Sequence, residues 1–239
     1  MKELPILFSA PMVRATIEDR KKVTRRTRGL DKINESPGMW SLLSSPAVDA
    51  ACFRRYCGDG EWEETLAKCP YAPGDRLWVR ECFSFEHCYM GIKPVEVIPY
   101  SSDVWYWADG NPSFGDWTKP KSSLFMPRWA SRLTLEAVSV RAERLHDITE
   151  EDAIREGIIV APPHIGIGWD GSPLESSTID WAPSDYFREL WDSINGDQIV
   201  IPQTASLARR ARMEKANAKR MSWAKNPWVW RVEYRKVTA

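Results

Sequence analysis

The densest run of reactive side chains is Arg20-Lys21-Lys22-Val23-Thr24-Arg25-Arg26-Thr27-Arg28, six cations in nine residues. Its β-branched members favour a strand from about Val23. Alternation along a strand then puts Thr24, Arg26 and Arg28 on one side and Arg25 and Thr27 on the other. Lys21 stands in the turn just before and can swing onto the Thr24 side. A threonine hydroxyl needs a base before it can attack. An amine becomes one when neighbouring cations and partial burial lower its pKa. Lys21, among Arg20, Lys22, Arg25 and Arg26, keeps that company. The plainer reading of the same residues is a solvated basic strand, or one that binds phosphate.

Glu156 is the second candidate. It precedes Gly157 at the end of Ile148-Thr149-Glu150-Glu151-Asp152-Ala153-Ile154-Arg155, the best helix signal in the chain. Thr149 and Asp152 have capping-box-like spacing, acids fill the first turn, and Gly157 can close the end. A helix C-terminus disfavours a carboxylate and so favours the protonated form that a general acid needs. An exposed helix-end glutamate paired with Arg155 or a nearby Lys is the alternative. Glu81 shares strand parity with Leu77 and Val79. If those face inward, Glu81 does too, and needs a cation or a ligand. An inter-strand salt bridge to Arg26 is the competing reading. Arg26, Glu81 and Ser9 are the expected substrate contacts.

The elements that must position these residues are short and far apart. Leu4-Pro5-Ile6-Leu7-Phe8-Ser9 reads as a buried strand, and Ser9 before Ala10-Pro11 as an N-cap for a helix over 10–19. Arg76-Leu77-Trp78-Val79-Arg80-Glu81-Cys82-Phe83 alternates as a strand, as does the segment 131–141. Residues 184–194 carry Tyr186, Phe187, Leu190, Trp191 and Ile194 at helical spacing. At the end, Trp228, Trp230, Val232 and Tyr234 share one face of a strand, with Arg231, Glu233 and Arg235 on the other. The tally predicts an α+β fold: a small, partly closed β-barrel of about five to six strands with short helices at its rim. A single domain over 1–239 carries insertions at about 31–70, 86–128, 158–182 and 196–222. The first of these reads as loops and short helices.

Composition narrows the function classes. The 239 residues carry 33 Lys+Arg against 33 Asp+Glu. That balance excludes a uniformly basic polyelectrolyte and an acidic disordered chain. Hydrophobic residues at 43% and charged residues at 28% suit a globular domain. No run approaches the ~18 apolar residues of a membrane helix. Met1-Lys2-Glu3-Leu4-Pro5 opens no apolar signal region, so a cytoplasmic protein is expected. Cys52, Cys57, Cys69, Cys82 and Cys88 form no Cys-x-x-Cys pair, and with only three histidines no metal site or other cofactor is expected. The 13 tryptophans predict aromatic walls, and Trp105, Trp107, Trp117 and Trp129 could stack on a planar base. No phosphate loop, dinucleotide fingerprint, nucleophile elbow or zincin motif is present.

Taken together, the pieces resemble the ASCH family of small PUA-like barrels. The resemblance rests on Ile17-Glu18-Asp19-Arg20-Lys21, Val23-Thr24-x-Arg26, Gly74-Asp75-Arg76-Leu77-Trp78-Val79, Ile148-Thr149-Glu150-x-x-Ala153-x-x-Glu156 and Val229-Trp230-x-Val232-Glu233-Tyr234. These cover about a third of the chain. Blocks such as Asn226-Pro227-Trp228-Val229-Trp230 are also similar to those of phage and prophage ASCH proteins. One branch of that family cleaves the N4-acyl amide of N4-acetylcytidine with a Lys base, a Thr nucleophile and a Glu acid, without metal. By motif position the resemblance implies those roles for Lys21, Thr24 and Glu156, with a modified nucleoside as the small-molecule partner. Two positions depart from the family pattern: Lys22 replaces a Thr, and Asp19 stands where Gly is common. PUA-like barrels also bind RNA or modified bases without chemistry. For that alternative, the basic stretch from Arg209 to Lys225 would contact phosphates.

Overall fold

The computed structural model describes residues 1–97, 104–158, 182–196 and 220–237. The fold is α+β, mostly strand with a few short helices. At its centre lies a five-stranded sheet of β1 (Glu3–Leu7), β2 (Val23–Arg26), β6 (Arg76–Arg80), β9 (Thr134–Arg144) and β10 (Trp228–Lys236), in the order β1-β6-β9-β10-β2. These are the five segments that the sequence pattern selects. β1 runs parallel to β6, and the other pairs are antiparallel.

β1 and β2 are the two edges of this sheet, and no ladder joins them among the described residues. Strand pairing therefore leaves the sheet open where a partly closed barrel was expected. Both edges are short: β1 ends two residues before helix α1 (Ala10–Ile17), and β2 has four residues. A guanidinium spans the gap instead, Arg26 Nη2 donating to the Leu7 carbonyl at 2.8 Å.

The main core gathers Ile6, Phe8, Val13, Leu77, Leu135 and Trp230 with Val232 and Tyr234. Burial of such side chains is the principal drive for folding, at roughly 1.5–3 kcal/mol each. The opposite face of β10 is covered as well. Val229 packs with Leu145, Ala153, Phe187 and Trp191, which belong to or adjoin α3 (Glu150–Arg155) and α4 (Pro183–Trp191).

Residues 31–70 correct the expectation of loops. After α2 (Asp31–Asn34) they form an antiparallel meander of β3 (Ser41–Ala47), β4 (Ala50–Gly58) and β5 (Glu61–Lys68). Gly58-Asp59-Gly60, three consecutive positive-φ residues at 97°, 51° and 84°, turns a hairpin there. The meander was hidden because β3 is exposed throughout and β4 and β5 carry charge on both faces, which removes the hydrophobic alternation. It docks through Phe53, edge-on to Trp228 at 4.9 Å.

The aromatic segment after residue 82 builds a core of its own around the two-stranded pair β7 (Phe83–Phe85) and β8 (Val104–Tyr106). Its tryptophans are used there. Trp107 Nε1 donates to Ser84 Oγ, Trp105 and Trp117 donate to the carbonyls of Gly110 and Phe114, and Trp129 stacks on Phe85. None of these four lines the cleft described below. All five cysteines are free. Among the described residues no helix is long and apolar enough to cross a membrane. The expected insertions at 158–182 and 196–222 lie almost wholly outside the described residues, and the basic stretch from Arg209 to Lys225 lies outside them up to residue 219.

Candidate active site

The site is assembled where the turn after α1 meets the end of α3. Asp19 has φ +59°, in the left-handed region that glycine ordinarily fills and Asp tolerates. The turn brings Arg20 N and Lys21 N onto the Ala15 carbonyl, at 2.8 and 2.9 Å. The same residues collect the carbonyls that α3 leaves without helical partners. Lys22 N donates to Arg155 O at 2.8 Å, Lys21 Nζ to Glu156 O at 2.9 Å and Arg20 Nη1 to Gly157 O at 3.1 Å. Gly157 makes this approach feasible. Its φ is +92°, and a Cβ there would lie 2.8 Å from Ala15 Cβ and 3.0 Å from Lys21 Cβ.

Lys21 is 1% exposed. Its Nζ donates to Glu156 Oε2 at 2.5 Å, to Val23 O at 2.8 Å and to Glu156 O, which uses all three ammonium protons. Burial holds its pKa below the ordinary lysine value. Glu156 pulls it upward, and the charges of Arg26 and Arg25 add to the depression. Glu156 is buried rather than exposed, and its partners are Lys21 and Arg25 rather than Arg155. Its Oε1 accepts from Arg25 Nη1 at 3.1 Å while Oε2 faces Lys21.

Arg25 and Arg231 stand directly opposite each other in the β2–β10 register. Like charges so placed repel, and acids from α3 and β9 separate them. Asp152 accepts from both: Arg25 Nη2 at 2.8 Å, and Arg231 Nη2 and Nε at 2.8 and 3.0 Å. Glu143 accepts from Arg25 Nε at 2.9 Å. Hydrogen bonds from Arg231 hold the Asp152 carboxyl down to about 2 despite its burial, and Arg25 contributes further. Sequence reasoning missed this support. Its signal was the alternation that sets Arg25 and Arg231 off the Thr24 and Val232 faces, leaving two arginines to be neutralised by the acidic helix.

Thr24, 2% exposed, lies opposite Val232. With Arg26 and Glu156 it lines a cleft of about 420 Å³ between the β1 and β2 edges, walled on one side by Phe187, Leu190 and Trp191 of α4. That volume falls within the range of small-molecule sites. Lys21 lies behind Glu156, off the cleft wall, and borders a smaller cavity of about 80 Å³ with Thr16 and Tyr234. Among the described residues no hydrogen bond joins Lys21 Nζ to Thr24. The amine is held to the peptide group that links Val23 to Thr24. Arg26 packs over the Phe8 ring at 5.7 Å, and burial lowers its pKa.

Of the six residues singled out in the sequence, Thr24, Arg26, Glu156 and Lys21 therefore come together. Glu81 does not. It accepts from Arg132 Nε and Nη2 at 2.9 and 3.0 Å, and Arg132 also holds Asp109. Its partner is neither Arg26 nor a group in the cleft. Ser9 sits at the N-cap position of α1 without a side-chain capping bond, off the cleft wall. Among the described residues no group of three or more His, Cys, Asp and Glu side chains is placed to hold a metal ion. In comparisons with protein-family models, curated proteins and solved structures, nothing matches this chain.

Proposed function

We propose that the protein is an amidohydrolase that cleaves the N4-acyl amide of N4-acetylcytidine or a related N4-acylated cytosine nucleoside. The observation that carries this reading is the sharing of one cleft by Thr24 and Glu156, with Glu156 hydrogen-bonded at 2.5 Å to the buried amine of Lys21. The open five-stranded sheet agrees with it: a PUA-like barrel parted along its β1–β2 seam would present Thr24 at the opening.

In this mechanism Lys21 and Glu156 work as a unit. Transfer of one proton from Lys21 to Glu156 leaves a neutral amine and a neutral acid, a state that the burial of Lys21 favours. The amine takes the Thr24 hydroxyl proton as Oγ1 attacks the acyl carbonyl. Arg26 stabilises the oxyanion. Collapse breaks the C–N bond, and Glu156 returns its proton to the departing exocyclic nitrogen. Cytidine leaves at this step, and water then hydrolyses the threonyl ester to a carboxylate and the free Thr24 hydroxyl. Lys21 must turn from the Val23 carbonyl toward Oγ1 for the first step.

A second reading, a binding module for RNA or a modified base without catalysis, is favoured by one observation. All three Lys21 protons already have acceptors, none of which is Thr24. Incubation with a panel of N4-acylcytidines separates the two. The enzyme releases cytidine and carboxylate, and Thr24→Ala, folded by circular dichroism, does not. No turnover by the wild-type protein across the panel overturns the proposal in favour of binding alone.

A further inference from the structure

The cleft carries more positive charge than its chemistry uses. Arg25, Arg26, Arg28 and Arg80 line it together with a single carboxylate, Glu156. Glu156 is already bonded to Lys21 and Arg25, and Arg25 is further neutralised by Asp152 and Glu143. Arg26, Arg28 and Arg80 have no carboxylate partner among the described residues. Two of these guanidiniums are also incompletely hydrogen-bonded. Arg26 Nε and Arg80 Nε are buried and without an acceptor, a state that native proteins seldom leave unexplained.

The scaffold holds these groups in place. Leu7 is in register with Arg80 across the β1–β6 pair, and the Leu7 carbonyl accepts from Arg26. The Arg26 and Arg80 side chains thus converge on the same end of β1. Arg80 lies over the Trp78 ring at 4.5 Å and donates from Nη1 to Leu124 O. Its remaining donors stay available. Arg28, in the turn two residues beyond the end of β2, is exposed and lines the cleft. Planar five-donor guanidiniums without counter-ions match the oxygens of a phosphate better than any neutral ligand. Beside them, Phe187, Leu190 and Trp191 offer an apolar wall for a planar base.

We infer that the cleft takes a phosphorylated ligand, a cytosine mononucleotide, with Arg28 and Arg80 on the phosphate and Arg26 at the acyl oxygen. This rests on the reading of the cleft as a cytosine-nucleoside site and names the charged form that the site prefers. A mononucleotide is favoured over a polymer because α4 walls the cleft on one side and its volume, about 420 Å³, is that of a small-molecule pocket.

The test is calorimetric titration of the full chain with cytidine, cytidine 5′-monophosphate and a short single-stranded RNA, in low and in moderate salt. The expected result is that the monophosphate binds at least tenfold more tightly than cytidine. That preference should shrink at least fivefold in Arg80→Gln and in Arg28→Gln, and weaken as salt rises. Equal affinity for cytidine and its monophosphate overturns the inference, as does a preference that survives in both variants. Tighter binding of the RNA than of the monophosphate overturns the mononucleotide assignment in favour of a polymer. Because binding is read without turnover, a monophosphate preference without hydrolysis of N4-acylcytidines would defeat the enzymatic reading alone.

Discussion

Two buried carboxylates on neighbouring parts of the fold, Glu156 and Glu81, meet cations of different kinds. Glu156 faces the amine of Lys21 at 2.5 Å and the edge of Arg25 at 3.1 Å. Glu81 is gripped by two nitrogens of Arg132, which also binds Asp109 and lies over the Tyr106 ring at 4.1 Å. Burial raises the Glu81 pKa against the pull of Arg132. Burial alone would lower that of Arg132, but its hydrogen bonds to Asp109 and Glu81 raise it. A guanidinium does not give up its proton in a protein, whereas a desolvated ammonium can. The Glu81 cluster therefore fixes geometry. The Glu156 pair can move a proton, and only it opens onto a cleft with surplus positive charge. What sets the two acids apart is the partner and the space, since burial is common to both.

The contrast breaks most sharply under removal of each cation. Lys21→Met should lower kcat for N4-acetylcytidine by about 10²–10⁴-fold, the ordinary worth of a general base, in steady-state assays on folded protein. Arg132→Met should leave turnover near wild type and cost about 3 kcal/mol of stability in urea unfolding, because it strands Glu81 and Asp109 beside each other. Equal kinetic losses in the two variants would erase the distinction.

Acid titration sharpens it further. Asp152 sits at about 2 in the folded chain against an ordinary value of 3.8, so in that window the unfolded chain binds more protons. Its contribution, about 2 kcal/mol, is full above pH 4 and is lost as pH falls through 2. Unfolding measured across that range should show the loss in the wild type and a flat profile for this group in Asp152→Asn. The smallest effect belongs to Gly157→Ala. A left-handed φ and the crowding against Ala15 and Lys21 should cost about 1–2 kcal/mol. Because Glu156 is displaced, kcat should fall along with Tm.

The reactive half of the molecule was legible because its signals are local. β-branched residues after a cationic turn specify β2, and Thr149 does cap α3, its Oγ1 accepting from Asp152 N at 3.1 Å. Gly157 ends that helix as its position suggested. The supporting network was not legible. Arg25, Asp152, Glu143 and Arg231 meet only through strand pairing and helix packing, with separations along the chain of 79 to 127 residues for the Asp152 contacts. Glu81 was placed on the right strand edge with the wrong partner, since Arg132 lies 51 residues away on the far side of an aromatic insertion. The meander over residues 41–68 escaped notice because β3 is exposed throughout and β4 and β5 carry charge on both faces, so none keeps a hydrophobic period. The partial barrel failed as an expectation for a different reason. The five strands of the central sheet were read correctly, but its four-residue edge and the opposite edge are joined by a side chain rather than by a ladder.

The claim that Lys21 and Glu156 hold a movable proton is tested most directly by nitrogen-detected NMR titration of the Lys21 amine in the full chain. The account predicts a midpoint well below 10.5, the ordinary lysine value, that shifts when Glu156 is replaced by Gln. A Lys21 amine that stays charged up to 10.5 and ignores Glu156→Gln would contradict it.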